Sequence, residues 1–283
     1  MIVITGATGQ LGRLVIASLL KKVPADRIVA AVRNPEKAKD LAARGVQVRQ
    51  ADYTEPESWE KVLAGAKKLL LISSNEIGQR EAQHKTVIDA AQKAGIELLV
   101  YTSLLRADST PLALGGEHLA TEQYLKNSGV PFAVLRNGWY TENYLASVPA
   151  ALQHGAFIGS VGEGRISSAA RADYAEAAAV VLTAADQAGK IYELAGDESY
   201  SLAEFAAELS RQTGRQIPYV NLPEAEYKGA LLGAGLPEAF AELLANSDAG
   251  AARGGLYSED RSLSTLIGRE TTTLATMLKY TLH

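Results

Sequence analysis

The first half of the chain alternates short runs of aliphatic and β-branched residues with longer segments of helical periodicity. Six such runs, the first at Ile2–Thr5 and the last at Phe132–Leu135, each have the length of one strand. The run Leu69–Ile72 is wholly aliphatic, as expected of a strand that is buried on both faces. Strand–helix repeats of this kind form parallel sheets with right-handed crossovers. We therefore predict an α/β fold, a Rossmann-type doubly wound parallel sheet, over residues 1–136.

The second half is less regular and predicts a smaller, mostly helical C-terminal lobe. The run Lys190–Leu194 is predicted to be a further strand of the main sheet. Residues 155–164 contain four glycines, which favours either a mobile lid or an ordinary surface loop. We predict that residues 1–136, with about 168–196, form the main domain, and that about 137–167 and 197–283 form a substrate lobe.

Composition excludes several classes of protein. The 283 residues include no cysteine, which removes disulfides, thiol catalysis and iron–sulfur clusters and fits a reducing cytoplasm. Net charge is −4 and the basic residues are dispersed, so nucleic acid is not an expected partner. Apolar stretches are too short to cross a membrane, so we expect no membrane association. Histidines and carboxylates lack the spacing of a metal site, and we predict none.

A glycine turn links the first strand to the first helix. Its spacing is Gly6-x-x-Gly9-x-x-Gly12. Gly6 permits a tight turn, Gly9 lets a pyrophosphate approach the backbone, and Gly12 lets the helix pack on the strand. Free amides at the start of the helix attract phosphate. We predict dinucleotide binding here, with cofactor contacts from Gly6, Ala7, Thr8, Gly9, Gln10 and Leu11.

The residues that follow the second and third strands indicate which dinucleotide binds. An acidic residue after the second strand would accept a hydrogen bond from a ribose hydroxyl, whereas an arginine pairs with a 2′-phosphate. This chain has Arg33 and Asn34 there and no carboxylate, which favours NADP(H) over NAD(H). After the third strand, Asp52 either accepts from the adenine amino group or caps the following helix.

With the glycine turn and Arg33, the run Leu135-Arg136-Asn137-Gly138-Trp139-Tyr140 resembles the NmrA-like branch of the atypical short-chain dehydrogenase/reductases. Within that family the chain most resembles the bacterial NADPH:quinone oxidoreductase 2 group, with triphenylmethane dye reductases as neighbours. The resemblance implies an NADPH cofactor and a quinone-like small-molecule acceptor. It also implies further cofactor contacts, which are Ser73, Ser74, Asn75, Asn137, Gly138, Trp139, Tyr140, Thr141 and Glu142.

The usual acid of short-chain dehydrogenases is missing. That acid is the tyrosine of a Tyr-x-x-x-Lys motif, and none of the twelve tyrosines has a lysine four residues later. The corresponding helix offers His118 and Glu122, and the negative charge of Glu122 would not activate a phenol. His118 is either a proton donor or, as we favour, a surface residue paired with Glu122. His84 is interpreted as structural.

The remaining chemistry is hydride transfer that needs little acid assistance. A quinone is a strong hydride acceptor, and positioning it against NADPH can supply most of the acceleration, without flavin or metal. Asn137 and Tyr140 are candidate catalytic residues that would donate to a quinone oxygen, and Trp139 and Tyr144 are candidate walls for its ring. The alternative is an NADP(H)-binding redox sensor with little turnover. The chain is predicted to be a cytoplasmic monomer or homodimer.

Overall fold

A computed structural model describes residues 1–282, and His283 lies outside the described residues. Strands follow the aliphatic runs of the sequence closely. They are β1 (Ile2–Ile4), β2 (Ile28–Val32), β3 (Gln47–Gln50), β4 (Lys68–Leu71), β5 (Leu98–Leu104), β6 (Phe132–Asn137), β7 (Phe157–Gly159), β8 (Ile191–Leu194) and β9 (Tyr219–Asn221).

The helices occupy the amphipathic segments between the strands and most of the C-terminal third. In the first half they are α1 (Gln10–Leu19), α2 (Lys39–Ala43), α3 (Ser58–Leu63), α4 (Arg80–Lys93) and α5 (Gly115–Asn127). In the second half they are α6 (Thr141–Leu145), α7 (Val148–His154), α8 (Arg171–Thr183), α9 (Leu202–Thr213), α10 (Glu224–Gly233), α11 (Glu238–Ala252), α12 (Ser262–Ile267) and α13 (Leu274–Leu282). Short 3₁₀ turns at Ala25–Arg27 and Pro35–Ala38 complete the regular structure of residues 1–282. No helix within these residues has both the length and the apolar character to cross a membrane.

Seven strands form one sheet in the order β3-β2-β1-β4-β5-β6-β8, and the pairs from β3 through β6 are parallel. The predicted doubly wound sheet is confirmed, including the addition of β8 at its edge. Its direction of winding reverses between β1 and β4, which is where open α/β sheets bind ligands at the carboxyl ends of their strands. One face of the sheet packs on α3 and α4, where Trp59, Val87 and Ile88 are buried against Val3 and Leu69.

The glycine-rich run differs from the prediction of a lid or surface loop. Phe157–Gly159 forms β7, which pairs in parallel with β9, and Phe157 is almost wholly buried. A Cβ on Gly159 would lie 2.7 Å from the Leu202 side chain, and one on Gly164 would lie 2.5 Å from the Ala251 carbonyl oxygen. Gly159 and Gly164 therefore permit close packing inside the lobe, and the run includes a strand that the sequence did not predict.

Short helices of the second half are difficult to predict from periodicity. Residues 141–154 contain two helices, α6 and α7, separated at Ala146 and Ser147. Helix α12 was not predicted, because its six residues contain too few turns to show a clear period. Helix α9 begins at a capping box in which Ser201 and Glu204 satisfy each other's backbone amides.

Contacts divide the chain into two compact units. The first comprises Met1–Leu104, Gly116–Asn137 and Arg171–Tyr192, and the second comprises Leu105–Gly115, Gly138–Ala170 and everything from Glu193 onward. The first unit holds β1 to β6 with α1 to α4 and α8, and the second holds α6, α7 and α9 to α13. The domain boundaries derived from sequence, and the assignment of a substrate lobe, stay predictions.

Candidate functional site

A cleft of about 420 Å³ opens at the carboxyl ends of β1, β2 and β4, within the first unit. It brings together nine of the residues that sequence reasoning selected, which are Gly6, Thr8, Gly9, Gln10, Leu11, Arg33, Ser73, Ser74 and Asn75. Ala7 is fully buried and does not line the cleft, although it belongs to the same turn. The cleft also contains Lys37, Tyr53, Trp59 and Glu76, which the sequence analysis did not assign to it.

The glycine turn forms the inner end of this cleft. Gly6 has a φ of +55°, a conformation that disfavours any residue with a Cβ, and its carbonyl oxygen accepts from the Gly9 amide at 2.9 Å. A Cβ on Gly9 would lie 3.1 Å from that same oxygen, and one on Gly12 would overlap it. Among the described residues no side chain caps the start of α1, so its first amides remain available to an anion. The turn therefore fits a pyrophosphate.

Arg33 lines the cleft directly after β2. Its side chain is 65% exposed, and its Nη1 lies 3.1 Å from the Glu76 Oε1. Lys37 lines the same cleft. The Asn34 side chain instead accepts from the Glu36 amide at 3.0 Å and caps the short 3₁₀ turn that follows. This cap uses the Asn34 oxygen and not its amide donors, and Arg33, Asn34 and Lys37 all line the cleft.

Two stacked aromatic rings form part of the cleft wall. Tyr53 and Trp59 have ring centroids 5.6 Å apart and an interplanar angle of 16°. Burial raises the pKa of Tyr53 to about 12, so its phenol stays neutral. Asp52 accepts from the Thr54 amide at 2.8 Å, and the indole of Trp59 donates to the Asp52 carbonyl. Asp52 does not cap α3, because the N-cap position of that helix is Glu57 and no side chain caps it; the contact of Asp52 with adenine stays a prediction.

The segment after β4 is held by side chains from three neighbouring elements. Consecutive amides of Ile72, Ser73 and Ser74 donate to Thr5 Oγ1, Thr102 Oγ1 and His84 Nε2, each at 2.9 Å. The Ser74 carbonyl accepts from Arg80 Nε at 2.6 Å. Sequence reasoning missed Thr5 and Thr102, because no local pattern marks a hydroxyl that pairs with a strand end distant in the chain. These bonds fix the backbone that lines one side of the cleft.

The roles of donor and acceptor at His84 follow from its neighbours. The Ser74 amide can only donate, so His84 Nε2 accepts and the proton resides on Nδ1. Nδ1 then donates to Thr121 Oγ1 at 3.0 Å, while the Thr121 hydroxyl donates to the Glu117 carbonyl. Burial, with the nearby Arg80 charge, lowers the pKa of His84 to about 3. The interpretation of His84 as structural therefore agrees with these contacts, and it acts on a loop of the cleft.

Helix α5 corrects the prediction of a surface pair at His118 and Glu122. Both side chains are buried, and they do not pair with each other. His118 Nδ1 and the Tyr101 hydroxyl share a hydrogen bond of 2.8 Å. Glu122 accepts from Arg136 Nη2 at 2.7 Å and Nε at 3.0 Å, and from the Ser103 hydroxyl at 2.5 Å. Burial holds the pKa of His118 well below its usual value, which leaves it neutral and unsuited to donate a proton at neutral pH.

The remaining predicted residues lie at the end of β6 and beyond. Asn137 is buried at the last position of β6, in the first unit. Gly138, Trp139, Tyr140, Thr141 and Glu142 belong to the second unit, and their assignment as cofactor contacts stays a prediction. Tyr144 is buried and its hydroxyl donates to Asp248 at 3.0 Å, and its role as a wall for the acceptor ring stays a prediction.

Comparisons with known proteins agree with this geometry. The family described as NAD(P)H-binding matches residues 6–185. Quinone oxidoreductase 2 of Escherichia coli strain K12 is 58% identical over 275 residues, which cover 97% of this chain and 96% of that protein. The crystal structure of the NADPH-dependent quinone oxidoreductase QOR2 of Escherichia coli complexed with NADPH superposes with a TM-score of 0.98, at 56% identity and with both chains fully covered.

An NmrA-like family domain-containing oxidoreductase of Aspergillus flavus, flvB, is 29% identical over 94% of this chain and 90% of its own length. The resemblance inferred from the glycine turn and the segment after β6 is therefore confirmed. The chain belongs to the NAD(P)H-binding family, among the NmrA-like relatives that include quinone oxidoreductase 2.

Proposed function

We propose that this protein is an NADPH-dependent reductase that passes hydride to a quinone or a similar small electron-poor acceptor. One observation carries the proposal: the glycine turn that fits a pyrophosphate and the side chain of Arg33 line the same cleft. That arrangement suits an NADPH molecule with its 2′-phosphate on Arg33. The high identity to a quinone oxidoreductase over the whole chain supports the choice of acceptor.

The chemistry requires a cofactor that gives two electrons and a protein that positions it. Bound NADPH would supply the hydride, and an added proton completes the conversion of quinone to hydroquinone. The first turn of α1 would hold the pyrophosphate, and the segment Ile72–Asn75 would line the cleft on its other side. Because His118 and Tyr101 are buried and neutral, we propose that the proton comes from solvent.

We also propose that Asn137 and Tyr140 are candidate donors of a hydrogen bond to a quinone oxygen, and that each can be tested by its own substitution. Asn137 follows Arg136 at the carboxyl end of β6, and Tyr140 is a half-buried phenol directly before α6. Loss of such a donor should lower kcat/KM for quinone by about tenfold. If both Asn137→Ala and Tyr140→Phe kept the kcat/KM of the wild type for quinone, neither residue would be a donor to the quinone oxygen.

The test of the whole proposal is an assay of several acceptors with NADPH and with NADH. The readout is the decrease in absorbance as the reduced nicotinamide is oxidised. Prompt oxidation of NADPH with benzoquinone or menadione, by a colourless protein, is the expected result. Tight NADPH binding without turnover above background would instead identify a redox sensor. A cytoplasmic location and a monomeric or dimeric state stay predictions, and sedimentation addresses the second.

A further inference from the structure

We propose that Glu76 is a specificity-determining residue that competes with the 2′-phosphate of NADPH for Arg33. Glu76 lies in the segment between β4 and α4, 43 residues from Arg33, yet the Arg33 Nη1 lies 3.1 Å from its Oε1. Both residues line the adenosine end of the cleft. This inference rests on the proposed use of NADPH and names a residue that limits the preference for it.

The carboxylate of Glu76 is held in place independently of Arg33. Its other oxygen, Oε2, accepts from Gln83 Nε2 at 2.7 Å, and its backbone amide donates to Ser74 Oγ at 3.1 Å. Gln83 is itself buried, so this anchor belongs to the first turn of α4 and not to a flexible surface chain. Because Gln83 and Ser74 hold Glu76, its carboxylate has little freedom to turn away when a phosphate approaches Arg33.

The charged residues that line the cleft are of both signs. The lining residues include two cations, Arg33 and Lys37, and one carboxylate, Glu76. A 2′-phosphate carries a charge near −2 at neutral pH. If Arg33 retained Glu76 while it bound the phosphate, two anionic groups would share one guanidinium and repel each other. If Arg33 released Glu76, the existing ion pair would be lost. In both cases Glu76 opposes NADPH, and NADH, which lacks the phosphate, does not meet this opposition.

The experiment compares Glu76→Gln with the wild type by calorimetric titration of NADPH, NADH, 2′,5′-ADP and 5′-AMP. The two fragments differ only by the 2′-phosphate, so they isolate the adenosine end. The substitution keeps the size of the side chain and removes its charge. We expect the ratio of the NADH Kd to the NADPH Kd, and the corresponding ratio for the fragments, to rise about threefold to fivefold, since exposed ion pairs have small energies.

Glu81→Gln is the matched control. Glu81 is an exposed carboxylate in the first turn of α4, and it pairs with Lys85 and does not line the cleft. It should leave both ratios unchanged. In the Arg33→Gln background, the effect of Glu76→Gln should be smaller, since the competition for Arg33 is gone and only the direct repulsion between Glu76 and the phosphate remains.

Three results would overturn the proposal. The first is that Glu76→Gln leaves both Kd ratios unchanged. The second is that this substitution weakens the binding of NADPH and NADH equally, which would mean that the Arg33–Glu76 pair closes over the adenosine of either cofactor, and the third is that its effect is undiminished in the Arg33→Gln background. Failure of quinone turnover with intact NADPH binding would refute the proposed function and leave this inference standing. Loss of all dinucleotide binding in the wild type would refute both.

Discussion

His84 offers a direct test of whether the segment after β4 is positioned by a side chain that does not itself line the cleft. The Ser74 amide is buried and donates to His84 Nε2, so removal of this acceptor strands a buried N–H group. An amide in that state costs about 1–3 kcal/mol. The cost appears as lost stability if the loop stays in place, and as lost NADPH affinity if the loop moves to reach water.

Substitution of His84 by Gln or by Asn distinguishes the hydrogen bond at Nε2 from the one at Nδ1. In His84→Gln, the terminal oxygen can occupy the place of Nε2 and accept from Ser74, while the bond to Thr121 is lost. In His84→Asn, the amide reaches only the place of Nδ1, so the bond to Thr121 can persist and the Ser74 amide loses its acceptor. Thr121 still donates to the Glu117 carbonyl in either variant.

The measurement is the free energy of unfolding in urea together with the Kd for NADPH. The summed loss should be about 1–3 kcal/mol in His84→Asn and below about 1 kcal/mol in His84→Gln. A full kcal/mol placed on binding corresponds to about a fivefold weaker Kd. If both variants showed the same summed loss, the bond from Ser74 would not be what positions the loop, and the reasoning would fail.

Three further predictions concern the glycine turn, the buried ion pair of Glu122 with Arg136, and stability at acid pH. Gly12→Ala should abolish measurable NADPH binding, because its Cβ would overlap the Gly6 carbonyl oxygen; a calorimetric titration that still shows binding contradicts this. Glu122→Gln should lower the free energy of unfolding by about 3 kcal/mol, since it breaks a buried ion pair with Arg136, whereas Glu97→Gln at the exposed pair with Lys67 should cause no measurable change in urea melts. Because the pKa of His84 is about 3 in the folded chain and near 6.5 when unfolded, unfolding takes up a proton between these values; stability should therefore fall below about pH 6.5, and less steeply in His84→Gln.

Local sequence pattern predicted the parts of the fold that depend on local interactions. The aliphatic runs gave the strands of the main sheet, and the spacing of three glycines located the turn that lines the cleft. Arg33 was found because its position after β2 has a known consequence for phosphate. The glycine-rich run was misread because β7 is defined by its pairing with β9, about 60 residues later, which no local window contains.

The errors within the site have the same origin. His118 and Glu122 stand four residues apart on one helix, which favoured an exposed pair. Their actual partners, Tyr101 and Arg136, lie on β5 and β6, and only the packing of α5 on the sheet brings them together. Thr5 and Thr102 were missed for a similar reason, since each stabilises the segment after β4 from a different strand. Sequence therefore located residues that line the cleft but not the side chains that support them.

The buried pair on α5 bears on which acceptors this fold can reduce. Where a short-chain dehydrogenase has a lysine to activate its tyrosine, this chain has Glu122, neutralised by Arg136 and bound by Ser103. Reduction of an ordinary ketone gives an alkoxide that needs a proton during hydride transfer, and the neutral, buried His118 cannot provide it. A quinone gives a delocalised phenolate that can be protonated later by water. The same side chains that stabilise α5 against the sheet thus favour acceptors whose reduced anion is already stable.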